Sequence, residues 1–123
     1  MVKKILIVED EAALNQALME FLIEEGFKVL SAQDGERGLE MAQQEMPDLI
    51  LLDVILPKKD GYEVLDAIKK NEKTKKIPVI MLTNLESQED ILEALEKGAT
   101  TYLVKSDYRL DDVVKKIKET LKI

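Results

Sequence analysis

The chain has 123 residues, a length that predicts a single domain covering residues 1–123. Its 18 basic and 25 acidic residues give a net charge of −7, which argues against direct nucleic-acid binding, because such binders present a cationic surface to phosphates. The sequence contains no cysteine and no histidine, which excludes thiol chemistry, structural zinc and histidine-based triads.

Short apolar runs alternate with segments in which apolar residues recur at helical spacing. In chain order the pattern predicts a strand at 4–8, a helix at 14–26, a strand at 27–32, a helix at 35–46 and a strand at 48–54. It then predicts a helix at 62–71, a strand at 78–83, a helix at 86–97, a strand at 100–104 and a helix at 110–121. Five strands alternating with five helices indicate an α/β fold with a doubly wound parallel sheet.

All of the apolar runs are short. None approaches the roughly 18 residues that a membrane span requires. Glu9 and Asp10 interrupt the first run too early for a signal peptide. We therefore expect a cytoplasmic protein with no membrane partner.

Polar side chains lie at or directly after the carboxyl ends of four of the five predicted strands. Strand 1 is followed by Glu9 and Asp10, strand 3 ends in Asp53, strand 4 ends in Thr83 and strand 5 is followed by Lys105. Strand 2 ends in Ser-Ala, to which we assign no role. Because ligands of doubly wound sheets bind outside the carboxyl ends of the strands, the functional site is predicted at this edge.

The charges predicted at this edge require a cation. Three carboxylates about 5 Å apart would repel one another by about 3 kcal/mol per pair at an effective dielectric of about 20. Oxygen ligands without nitrogen or sulfur suit Mg²⁺ or Mn²⁺. The Thr83 hydroxyl and the Lys105 ammonium would bind phosphoryl oxygens, and Asp53 would attack phosphorus to form an aspartyl phosphate.

This ordered set of residues resembles the receiver domain of two-component response regulators. The resemblance runs from Lys4 to Leu121. It rests on the acid pair Glu9-Asp10, on Asp53, on the turn Leu-Pro-Lys-Lys-Asp-Gly at 56–61, on Thr83 and on Lys105. It implies a flavodoxin-like, CheY-like sheet of five parallel strands in the order 2-1-3-4-5.

The resemblance also assigns roles at the metal site. It implies that Asp53 is the phosphoacceptor and that Asp10 is a direct magnesium ligand. Glu9 would act through a bound water, and the backbone carbonyl of Ile55 would complete the site.

The same resemblance makes Thr83 the switch hydroxyl, Lys105 the partner of the phosphoryl oxygens and Tyr102 the aromatic switch. The chain departs from the family pattern at Ser106, where proline with a cis bond is usual, and at Asn84, where a smaller residue is usual. A cis bond before a non-proline residue costs about 3 kcal/mol, so the usual loop after Lys105 is not assured.

Hydrolysis of the phosphorylated state depends on two further positions in this family. Fast-hydrolysing receivers tend to carry polar groups two residues after the acceptor and two residues after the switch threonine. Here these positions hold Ile55 and Leu85, which cannot accept a hydrogen bond from water. We expect slow self-dephosphorylation, with Asn84 either crowding the site or orienting a water.

The sequence therefore predicts a phosphorylation-dependent signalling switch. Its donor would be a histidine kinase or a histidine phosphotransfer protein, and its target a downstream protein or output domain reached through helix 4, strand 5 and helix 5. It would catalyse only its own phosphorylation and dephosphorylation, and so would not be an enzyme. The end of the chain after helix 5 fits a stand-alone regulator or a receiver from a longer protein.

Two alternatives share parts of this chemistry. A haloacid-dehalogenase-like aspartyl phosphatase carries a second aspartate two residues after the nucleophile, where this chain has Ile55, and needs a longer chain. A flavodoxin-like FMN module would need a Ser/Thr/Gly-rich phosphate loop after strand 1. Here Glu9, Asp10 and Glu11 would repel phosphate.

Overall fold

The computed structural model describes residues 2–83, 88–104 and 109–123. Strands and helices alternate throughout these residues, as the sequence predicts. The strands are β1 (Lys4–Val8), β2 (Lys28–Ala32), β3 (Leu49–Asp53), β4 (Val79–Thr83) and β5 (Thr101–Val104). The helices are α1 (Ala12–Glu24), α2 (Gly35–Glu45), α3 (Gly61–Lys70), α4 (Gln88–Glu96) and α5 (Leu110–Leu121).

The strands form one parallel sheet in the order β2-β1-β3-β4-β5, which confirms the predicted fold. The register aligns the carboxyl ends of the central strands. Val8 lies opposite Leu52, and Asp53 lies opposite Leu82. Residues that follow β1 and β3 therefore emerge side by side at one edge.

The two faces of the sheet are covered by different helices. Odd and even positions of β1 and β3 point to opposite sides, so that Leu6 and Val8 join a core with α2, α3 and α4. Ile5 and Ile7 join a second core with α1 and α5. Because all four are fully buried, the central strands are rigid supports for the residues at their ends.

Helix ends differ from the predicted bounds by one or two residues, for local reasons. Met46, predicted as the last residue of the second helix, instead adopts a left-handed conformation with φ 46° and caps α2 after Glu45. The first helix begins at Ala12, earlier than its apolar spacing indicates.

In the described parts of the chain, no helix is both long and apolar enough to cross a membrane.

The connection from α3 to β4 lies at the amino edge of the sheet, far from the strand ends that carry the acids. Thr74 is fully buried there, and its hydroxyl donates a hydrogen bond of 2.7 Å to the carbonyl of Ile68. The Lys69 ammonium donates to the carbonyls of Ile77 at 2.7 Å and of Lys75 at 3.2 Å. These side chains bind backbone carbonyls of α3 and of the connection and make no contact with the acidic edge.

Candidate functional site

Three carboxylates meet at the carboxyl edge of the sheet. One oxygen from each of Glu9, Asp10 and Asp53 lies within 4.8 Å of the others. Glu9 is fully buried, Asp53 is 4% exposed and Asp10 is exposed to solvent. The cluster is thus buried on the protein side and open to solvent at Asp10.

The chain after Asp53 turns tightly, which fixes the direction of that carboxylate. The Gly61 amide donates to the carbonyl of Val54 at 2.7 Å, and the Ile55 amide lies 3.4 Å from Asp53 Oδ1. A Cβ atom at Gly61 would lie only 2.2 Å from the Asp53 carbonyl oxygen, so the turn requires glycine there. The Ile55 side chain points outward and is 63% exposed beside the acids.

The loop between β3 and α3 rests on the amino end of α2. The Pro57 carbonyl accepts hydrogen bonds from Lys59 at 2.8 Å and from Gly35 at 3.3 Å. Lys58, which lies between Pro57 and Lys59, has φ 68°, a strained conformation for a residue with a side chain. A Cβ atom at Gly35 would lie 1.7 Å from the Lys59 carbonyl oxygen, so the loop and α2 are in direct backbone contact.

The acid pair is held at the start of α1. The Glu9 amide donates to the carbonyl of Ala32 at 3.0 Å, and Glu9 Oε2 accepts from the amide of Glu11 at 3.0 Å. A carboxylate is favoured there because the positive end of the helix dipole lies nearby. Glu11 occupies the N-cap position, but its side chain makes no capping hydrogen bond.

The donor set of this cluster fits a hard divalent cation. It consists of carboxylate oxygens, and the Ile55 carbonyl lies two residues after Asp53. At about 5 Å and an effective dielectric of about 20, each pair of ionised carboxylates repels by about 3 kcal/mol. A cation bound among them would remove this repulsion.

The remaining predicted site residues lie on β4 and β5. Thr83 is the last residue of β4. Its backbone lies opposite Val104, at the same edge of the sheet as Asp53. The roles predicted for the Thr83 side chain and for Lys105, Asn84 and Leu85 fall outside what the structure describes, as does Ser106.

Tyr102 lies on β5 opposite Met81. Its ring is half-buried against the core formed with α2, α3 and α4. The structure therefore places Tyr102 in the edge strand β5, beside the strand that ends in Thr83, but its switching role stays a prediction.

Two residues near the acids carry polar contacts that the sequence analysis did not anticipate. Ser31, to which no role was assigned, donates a hydrogen bond to Asn15, and Asn15 donates to the carbonyl of Glu9. A signal was available, because Asn15 lies between Leu14 and Leu18 on the apolar face of the first helix. A polar residue on such a face usually has buried partners.

The fold and the acidic edge define the class of protein: a doubly wound domain with a cluster of carboxylates at the carboxyl edge of its parallel sheet. Comparison with known sequences gives the family. Residues 5–118 match the family model described as the response regulator receiver domain, so the chain belongs to the response regulator receiver domain family. This family consists of phosphorylation-dependent signalling switches, and the phosphatase and FMN-module alternatives are not supported.

Individual relatives agree with this assignment. A probable transcriptional regulator ycf27 of Guillardia theta is 44% identical over 103 residues, which cover 84% of this chain and 39% of that protein. The chain spans less than half the length of this relative and of three other curated transcriptional regulators that it matches. The similarity to those regulators therefore covers only part of each of them.

Solved structures agree as well. A CheY-like receiver domain protein of Methanospirillum hungatei has a TM-score of 0.91 and 33% identity, covering 99% of this chain and 95% of that one. The receiver domain of the sensor histidine kinase PA1611 of Pseudomonas aeruginosa has a TM-score of 0.90 and 27% identity over 100% of both chains. The latter structure has a magnesium ion coordinated in its active-site cleft.

Proposed function

We propose that Asp53 accepts a phosphoryl group in a reaction that requires Mg²⁺ held by Glu9, Asp10, Asp53 and the Ile55 carbonyl. The proposal rests on the convergence of the three carboxylates within 4.8 Å at the open edge of the sheet. Asp53 is the natural nucleophile because it ends a fully buried strand and lies at the centre of the edge.

The chemistry asked of the protein is mainly positioning and charge neutralisation. A carboxylate oxygen of Asp53 attacks phosphorus in line with the departing group. With a phosphohistidine donor, the phosphorus–nitrogen bond breaks and the imidazole nitrogen keeps the electron pair and takes up a proton. Bound Mg²⁺ would neutralise charge on the phosphoryl oxygens, while Thr83 and Lys105 would contact these oxygens from β4 and the end of β5.

Mg²⁺ or Mn²⁺ would fit this site, because both ions bind the carboxylate and carbonyl oxygens that it offers. Glu9 is fully buried and carries a hydrogen bond from Glu11, whereas Asp10 faces solvent. This difference supports a direct contact from Asp10 and an indirect one from Glu9 through water. The magnesium seen in the PA1611 receiver supports a divalent cation at this site.

Receiver domains interact with histidine kinases and with output partners. For this chain, we propose a histidine kinase or histidine phosphotransfer protein as donor, and a target that contacts α4, β5 and α5. On α4, Leu92 is 55% exposed and Leu95 is 38% exposed, which leaves apolar surface for such a target. Catalysis would be limited to the chain's own phosphorylation and hydrolysis, in the cytoplasm.

Intact-mass analysis after incubation with acetyl phosphate tests the proposal. We expect one added phosphoryl group in the presence of magnesium. We expect no adduct when EDTA removes the metal, because the charges on phosphate and carboxylates are then not neutralised. Unmodified protein at millimolar magnesium, or an adduct that persists in EDTA, would contradict the proposal.

Magnesium should also stabilise the fold, because binding to the native state alone raises the free energy of unfolding. At ten times the dissociation constant this linkage contributes about 1.4 kcal/mol, which raises the melting temperature by about 5 °C in a domain of this size. Asp10→Asn should respond less. Differential scanning calorimetry at matched ionic strength measures both, and a wild-type melting curve unaffected by magnesium would argue against the site.

A further inference from the structure

A buried amide lies where β1, β2 and α1 meet. Asn15, in the first turns of α1, is only 2% exposed. Its Nδ2 donates to the carbonyl of Glu9 at 2.9 Å and to the carbonyl of Ala32 at 3.2 Å. Its Oδ1 accepts from the hydroxyl of Ser31 at 2.6 Å. Both ends of the amide are therefore engaged inside the protein.

The orientation of this amide is determined by its partners. The two carbonyl oxygens can only accept hydrogen bonds, so the NH₂ group of Asn15 must face them. A rotated amide would place Oδ1 against two other oxygens. The Ser31 hydroxyl completes the arrangement by donating to Oδ1 from β2. Asn15 thus links α1 to the residue after β1 and to the end of β2 in a single geometry.

The consequence concerns the peptide between the two acids of the pair. The carbonyl bonded by Asn15 belongs to Glu9, and the same peptide plane carries the amide of Asp10. On its other side, Glu9 donates its amide to Ala32. The backbone is therefore held before and after the Glu9 side chain, and the direction in which Asp10 leaves the strand is fixed although Asp10 is exposed.

We infer that Asn15, oriented by Ser31, is a positioning residue for the metal site. The inference rests on the proposed function of the acid cluster. Without cation, the three carboxylates repel one another, and the exposed Asp10 is the one free to move away. Anchoring the Glu9–Asp10 peptide keeps the carboxylates at the spacing that a cation needs, so less reorganisation accompanies binding.

Magnesium titration calorimetry on four proteins tests this inference: the wild type, Asn15→Ala, Ser31→Ala and Thr74→Ala. We expect the dissociation constant to rise about tenfold in Asn15→Ala and by roughly a factor of three in Ser31→Ala, as is typical when a group supporting metal ligands is removed. Thr74→Ala is the matched control. It also removes a buried hydrogen bond to a backbone carbonyl, but at the opposite edge of the sheet.

The melting temperature of each variant separates positioning from general stability. A purely structural role predicts that Asn15→Ala loses stability, like Thr74→Ala, with an unchanged dissociation constant, and this result would overturn the inference. If Asn15→Ala does not fold, the test relies on Ser31→Ala. A wild-type dissociation constant for magnesium in Ser31→Ala would also overturn the inference. A wild type that binds no magnesium would instead overturn the proposed metal site, and the inference with it.

Discussion

Asp53→Asn is expected to abolish the phosphoryl adduct completely. The substitution preserves the size of a side chain that is 4% exposed, so the fold should survive. An amide oxygen is far less nucleophilic than a carboxylate, and no other acid of the cluster ends a central strand. Intact-mass analysis after acetyl phosphate treatment with magnesium measures the loss. A normal adduct in this variant would show that another residue is the acceptor.

A matched control lies at the other end of the same strand. Asp48 immediately precedes β3, is half-buried, and accepts a hydrogen bond of 2.7 Å from the amide of Lys4. Asp48→Asn makes the same chemical change about five residues from the site and keeps an oxygen that can accept this bond. We expect it to be phosphorylated like the wild type. Equal loss in both variants would point to damage to β3 instead.

The second large effect concerns the lifetime of the phosphorylated state. Hydrolysis requires a water in line with phosphorus, and Ile55, 63% exposed beside Asp53, cannot hold one. Positioning a reactant contributes strongly to rate, so the variant Ile55→Asn with Leu85→Glu should lose its phosphoryl group faster, by a factor on the order of ten. The adduct is followed by mass after the donor is removed.

An isoleucine-to-asparagine substitution far from the acids is the control for the hydrolysis rate. Ile23 is 54% exposed on α1, and Ile23→Asn replaces an exposed isoleucine without altering the acidic edge. We expect this variant to dephosphorylate at the wild-type rate. Hydrolysis within seconds in the wild type, or no acceleration in the double variant, would refute the role assigned to positions 55 and 85.

The sheet and its acidic edge could be predicted because they depend on regular patterns. Near-continuous apolar runs identify the central strands, and a parallel sheet places all their carboxyl ends at one edge. Convergence of Glu9 with Asp53 therefore follows from strand order and register. The strand order itself came from family resemblance, since alternation of strands and helices alone is compatible with several orders.

The supporting contacts could not be predicted, because they depend on geometry between segments distant in sequence. Asn15 and Ser31 are 16 residues apart and meet only when α1 packs on β2. The close approach of Gly35 to Lys59 likewise depends on how a loop rests on a helix. Local propensity contains no information about such contacts, although a polar residue on an apolar helix face does indicate that some partner exists.

The backbone contact between Gly35 and Lys59 matters for anyone who wishes to transplant this site to another scaffold. The residues that surround the carboxylates come from β1, β3 and the loop after β3, which suggests a compact unit for grafting. A Cβ atom at Gly35 would lie 1.7 Å from the Lys59 carbonyl oxygen, so no side chain fits there and the start of α2 supports the conformation of that loop. A graft that omits the segment from Asp34 to Arg37 would keep the carboxylates. It would lose the backbone contact that supports the loop after β3.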